Sequence, residues 1–90
     1  MLYSAQIRAA RGLLKMSQVE LSLLTDINIS SIKKYEMDDK FLRRTNLIKL
    51  NKILKVFKER NIEFFEKQEE DGSTTMGAAI KKWQPPEDDD

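Results

Sequence analysis

The chemistry open to this chain is that of amides, hydroxyls and cations. Its 90 residues include no cysteine and no histidine. That excludes disulfides and thiolate metal sites, and it removes the commonest general base and metal ligand. The sequence has no glycine-rich phosphate loop and no nucleophile–base pair. Glu69-Glu70-Asp71 and Asp88-Asp89-Asp90 are carboxylate clusters, but neither has the oxygen-ligand spacing of a calcium loop. The expectation is a protein that is no enzyme and holds no metal and no cofactor. What remains is a run of donors and positive charges: Gln18, Asn28, Ser30, Lys33, Lys34, Lys40, Arg43 and Arg44. Residues 1–60 carry thirteen Lys/Arg against six Asp/Glu, a balance of +7, whereas residues 61–90 carry three against nine, a balance of −6. The first part has the electrostatics of a nucleic-acid binder. A solvated surface with an acidic tail for solubility is the alternative.

These side chains need a scaffold, and the stretch Ser17–Glu36, SQVELSLLTDINISSIKKYE, supplies one. Its apolar positions are Val19, Leu21, Leu24, Ile27, Ile32 and Tyr35. Leu21 and Leu24 share one helix face by their spacing, and Ile32 and Tyr35 repeat it. Ile27 falls between the pairs, where a turn residue must plug the angle between two helices. Asp26, just before it, tolerates the left-handed backbone better than most residues. Asn28 fits as an N-cap. Ser17-Gln18-Val19-Glu20 has the capping-box pattern, with Met16 as a staple before it. The spacing predicts helices over Gln18–Thr25 and Ile29–Met37.

The flanks predict more helices. Ser4 is placed as the cap of a first one over Ala5–Lys15, with Ile7, Ala10, Leu13 and Leu14 as its apolar stripe. Asp38–Arg44 reads as a polar loop anchored by Phe41 and Leu42. Thr45 is placed as the cap of a helix over Asn46–Arg60, with Leu47, Leu50, Leu54 and Phe57 inward and Ile53 beside them. Lys49, Lys52, Lys55 and Lys58 step round its other side as a solvated face. Asn61 ends that helix in the left-handed conformation. Beyond it the period becomes two. Ile62–Lys67 and Met76–Trp83 read as a hairpin about Asp71-Gly72, with a short helix at Ala78–Trp83 as the alternative. The fold expected is mainly α: a compact four-helix domain with a short C-terminal β-hairpin extension. Its parts are 1–61, an extension at 62–83, and a flexible acidic tail at 84–90. A 90-residue chain buries only ~60–65% of its unfolded surface, so spare apolar residues are available to a partner.

Carried by Ser17-Gln18, Glu20-Leu21, Ile27, Ser30, Ile32, Tyr35 and Glu36, the chain resembles the phage repressor and Cro (XRE) family of helix-turn-helix regulators. Ile7–Arg11 upstream and Leu47–Leu50 downstream also fit, so the resemblance covers about residues 4–60. The sequence departs from the family at Asp26, where glycine is usual, and at Met37-Asp38, where Asn-Gly is frequent. The resemblance implies a repressor-like helix-turn-helix fold and binding to double-stranded DNA. Asn28, Ile29, Ser30, Lys33 and Lys34 would then meet base edges in the major groove. Gln18 would grip a phosphate at a helix N-terminus, and Lys40, Arg43 and Arg44 would reach flanking phosphate. It also implies an ion pair between Arg11 and Glu36. An ordinary solvated helix face is the alternative for the first group, and a surface arginine and glutamate without contact for the last.

The function expected is therefore a transcription regulator, a repressor binding an inverted-repeat operator as a homodimer. The surplus apolar residues Phe64, Phe65, Ile80 and Trp83 either form the dimer or partner contact or cover the domain's own core. Two alternatives stay open: an antitoxin whose extension covers a small protein partner, and a protein-only interaction module. No apolar run approaches a membrane span and the N-terminus lacks a signal-peptide core, so a cytoplasmic protein is expected, with no membrane partner.

Overall fold

The computed structural model describes residues 1–82. The expected acidic tail and Trp83 lie outside the described residues. Five helices precede a two-stranded antiparallel sheet: α1 (Ser4–Leu14), α2 (Gln18–Thr25), α3 (Ile29–Met37), α4 (Asp39–Arg43), α5 (Leu47–Glu59), β1 (Ile62–Gln68) and β2 (Thr74–Ile80). The chain is mainly helical with a short C-terminal hairpin, as its pattern predicts.

Local signals set α2 and α3. Glu20 donates its backbone N–H to Ser17 Oγ at 3.0 Å, and the Glu20 carboxylate accepts from Ser17 N at 3.4 Å, which closes the capping box. Asn28 Oδ1 accepts from Ser30 N at 2.8 Å. Lys15, Asp26 and Asn61 adopt left-handed backbone and end their helices, with φ of 53°, 56° and 62°. Both helices have their predicted bounds.

Other elements depart from expectation where a residue's partner is distant in sequence. Ser4 is the first residue of α1 rather than its cap. Gln6 Oε1 accepts from Tyr3 N, and Ser4 N donates to Asp39 Oδ1 at 2.7 Å, so a carboxylate from α4 closes the first turn of α1. The polar loop contains the one-turn helix α4, with Asp38 Oδ1 accepting from Lys40 N. Asn46, not Thr45, caps α5 through Lys49 N. The Thr45 hydroxyl instead meets the Tyr35 hydroxyl at 2.6 Å.

The core comprises Ile7, Ala10, Met16, Leu21, Ile27, Ile32, Tyr35, Leu42, Ile53, Val56, Phe57 and Ile62. On α5 its centre is Ile53, Val56 and Phe57. Leu50 and Leu54 are half-buried, and Leu47 is 71% exposed rather than inward. The ten residues from Leu47 to Phe57 span 2.8 turns, which carries Leu47 about 80° off the buried face. On α2, Leu21 and Thr25 face inward while Val19 and Leu24 are exposed. The Thr25 hydroxyl is satisfied by Leu21 O at 2.7 Å. The side packed against α3 and α5 takes Leu21, and Leu24 lies about 60° away from Leu21.

The hairpin register runs from Ile62↔Ile80 to Gln68↔Thr74, so residues 78–80 are strand and not helix. Asp71 accepts from Ser73 N in the turn, and Gly72 has φ of 88°. Ile62, Phe64, Ala78 and Ile80 face the core, where the Phe64 ring meets Phe57 edge-on at 5.8 Å. The side chain of Gln6 joins hairpin to helix: buried beneath the sheet, its Nε2 donates to Phe65 O at 2.9 Å and to Gly77 O at 3.0 Å.

Candidate nucleic-acid interface

The junction between α2 and α3 is held by local hydrogen bonds. Asp26 N–H donates to Ser22 O. Ser22 Oγ donates to Ile27 O at 2.5 Å, and Ile27 N meets Thr25 Oγ1 at 3.3 Å. The buried Ile27 side chain wedges the two helices apart. This sets α3 at a fixed angle on α2 and leaves one face of α3 free.

Ile32, Tyr35 and Glu36 form the inner face of α3. Ser30, Lys33, Lys34 and Met37 are exposed and fall within about 100° of one another around the helix. Asn28 stands at the start of this face with its oxygen occupied by Ser30 N and Ser30 Oγ, the latter at 2.7 Å. Asn28 is exposed and its amide N–H groups make no hydrogen bond among the described residues, so they remain available as donors, and the Ser30 oxygen keeps acceptor capacity. Ile29 is half-buried at the edge. Met37, 83% exposed, was not among the residues expected here. Its spacing of four from Lys33 and three from Lys34 is the signal that places it.

Behind this face stands Glu36, only 2% exposed. Arg11 Nε reaches Glu36 Oε2 at 2.7 Å and Arg11 Nη2 reaches Oε1 at 2.6 Å, a bidentate pair. The hydrogen bond to Glu36 raises the Arg11 pKa above its ordinary value, with burial opposing and the charge of Glu36 adding to the rise. Arg11 Nη1 also donates to Met16 O at 2.8 Å. Arg8, unassigned by its sequence position, donates to the Glu36 carbonyl. Gln18 Nε2 approaches Glu36 Oε1 at 3.4 Å. Half-buried in the first turn of α2, Gln18 thus stands between the helix N-terminus and the ion pair.

The cations at the end of α3 and after it divide. Lys34 lies over the Phe41 ring at 5.4 Å, and Phe41 stacks on Tyr35 at 5.2 Å, so α4 props the end of α3. Lys40 is exposed. Arg43 turns to the start of α1, over the Tyr3 ring at 5.6 Å. Arg44 shares a small cleft with Lys49 at the start of α5. The α3 residues therefore form one surface, while Arg43 and Arg44 point to separate parts of its surroundings.

Five helices with a tight α2–α3 turn and a polar, cationic outer face on α3 define a helix-turn-helix DNA-binding domain. The helix-turn-helix family model matches residues 7–64, and the chain belongs to this family of Cro/C1-type XRE regulators. It is a DNA-binding transcription regulator whose partner is double-stranded DNA. No curated protein and no solved structure matches the chain. Among the described residues, no helix is long and apolar enough to cross a membrane.

Proposed function

We propose that this regulator is a repressor that binds an inverted-repeat operator as a homodimer. Its α3 lies in the major groove. Lys33 and Lys34 donate to guanine O6 and N7, Asn28 and Ser30 hydrogen-bond to base edges, and Ile29 packs on a thymine methyl. Gln18, Lys40, Arg43 and Arg44 hold phosphates and set the register. The observation that carries this reading is the exposed face of α3, polar and doubly cationic, backed by the Arg11–Glu36 pair. One such helix reads only a few base pairs. Two copies about one helical turn apart, ~34 Å, supply useful specificity.

Selection of bound sequences from random DNA tests the reading, with two half-sites one turn apart as the expected result. Lys33→Ala is then titrated against the selected site and a scrambled one. Base readout predicts a loss of about 1–3 kcal/mol on the selected site alone. Equal weakening on both sequences would reduce Lys33 to a phosphate contact. Arg44→Ala provides the contrast, weakening both and lowering the salt slope by about one.

A further inference from the structure

We propose that the exposed face of α2 docks α5 of a neighbouring copy bound to the same DNA, so that adjacent sites fill cooperatively. The contact joins two unlike faces and does not depend on how copies share one operator.

Among the five helices, α2 alone carries no Lys or Arg, and Asp26 follows it directly. Val19, Glu20, Leu23 and Leu24 are exposed and fall within about 140° of one another around the helix, with Leu23 at 77%. This arc lies about 100° or more from Gln18, the α2 residue assigned to phosphate, so bound DNA leaves it open. Beside Leu23 and Leu24 is a shallow cleft of about 300 Å³ lined also by Met16 and Arg60. Arg60, the cation at its rim, is turned back along α5 and donates to Val56 O at 3.0 Å. Large apolar side chains grouped in water mark a contact surface. Glu20 and Asp26, the carboxylates of this region, make no ion pair among the described residues.

The chain itself carries the complement. On α5, Leu47 and Ile48 are 71% and 70% exposed, and the exposed Lys52 and Lys55 share their arc of about 140°. An apolar pair bordered by lysines thus matches an apolar trio bordered by carboxylates. Packed antiparallel, as the helix dipoles favour, the two helices agree turn for turn. Leu24 meets Ile48, and Glu20, one turn before Leu24, meets Lys52, one turn after Ile48. Lys55 already lies 3.9 Å from Glu59, whereas Lys52 makes no ion pair among the described residues. A contact between unlike faces leaves an α2 face free on one copy and an α5 face free on the other, so it can repeat. Its area is that of two helical turns, too small for a stable complex in free solution. Copies on neighbouring DNA sites meet at an effective concentration on the order of millimolar, where such a contact registers as cooperativity.

The test uses the site returned by selection from random DNA, present once or as two tandem copies whose spacing is stepped base pair by base pair through one helical turn. Wild-type protein is expected to bind the tandem about tenfold more tightly than independent filling predicts, at one preferred spacing. Lys52→Glu and Glu20→Lys each set like charges against each other and should abolish that factor while leaving single-site affinity unchanged. The double variant restores opposite charges and should recover it. It carries the same altered α2 cap as Glu20→Lys, so its recovery reads the charge pair and not the fold. Leu23→Gln, at a fully solvated apolar position, should lower the factor without touching charge. Independent filling at every spacing overturns the contact, as does cooperativity that survives both single reversals or that the double variant fails to recover. A loss of single-site affinity in Lys52→Glu would place Lys52 on DNA and overturn it as well. A selected site with one half alone would instead sink the homodimer reading and leave this contact standing.

Discussion

Arg11 and Glu36 meet through two hydrogen bonds of 2.7 and 2.6 Å, and the carboxylate they share is almost sealed from water. The pair joins α1 to the last turns of α3, so the helix with the exposed cationic face is held from its buried side. Arg11→Met strands the Glu36 charge, and the expected cost is ~3–5 kcal/mol. For a domain of this size each kcal/mol lowers the melting temperature by roughly 4–8 °C. Calorimetry should therefore record a fall of more than about 10 °C. Replacing both partners, Arg11→Met with Glu36→Leu, should return most of that loss. A double variant no better than the single one would mean that packing, not the stranded charge, sets the cost.

Asp39 gives the fold a pH dependence. The Ser4 backbone N–H holds its carboxyl below the ordinary value of 3.8. Burial opposes the shift, and the charges of Arg43 and Arg8 add to it. A carboxyl whose pKa falls on folding contributes stability above its unfolded value and loses it as pH drops through the folded one. The stability difference between wild type and Asp39→Asn should thus be constant from pH 7 to about pH 5. It should shrink steadily below pH 4. Urea titrations at stepped pH measure it, and a difference unchanged at pH 2.5 would exclude Asp39 as the linked group.

Gln6 holds the hairpin beneath its central pair. Gln6→Leu removes donors to Phe65 O and Gly77 O and the acceptor for Tyr3 N. The two carbonyls keep their ladder partners, so the orphaned group is Tyr3 N–H and the loss is about 1–3 kcal/mol. Amide exchange should rise about tenfold or more in β1 and β2 while Leu21 and Ile32 stay protected. Equal acceleration throughout would make the hairpin inseparable from the helical core.

Lys15 sits in left-handed backbone without the short polar side chain that eases Asp26 and Asn61. Lys15→Gly should raise stability by roughly 0.5–1 kcal/mol. The same change at Asp26 should gain less. Denaturant midpoints at constant m-value decide the order.

Much of the binding half was legible because its determinants are short-range. Ser17 with Glu20, Asp26, Asn28 and Asn61 each act on backbone within four residues, so the bounds of α2 and α3 follow from sequence. Ser4 and Thr45 have the residue type of caps by the same reasoning and are not caps. Ser4 answers to Asp39 and Thr45 to Tyr35, thirty-five and ten residues away. The α5 stripe and the place of Leu24 failed for a related reason: periodicity names two candidate faces, and only the neighbouring helix selects one. Met37 shows the converse, an apolar residue left in water because the α3 face that carries it is the one without a packing partner.

By itself the sequence determined a cation-rich helical DNA-binding chain, its central turn, and the parity of its hairpin. These depend on local hydrogen bonds, charge and side-chain period. Tertiary structure decided that Gln6 carries the hairpin, that Arg8 joins Arg11 at Glu36, and that Phe64 and Ile80 turn to the core while Phe65 faces solvent. Each of those choices depends on a group far along the chain, and burial makes its satisfaction compulsory.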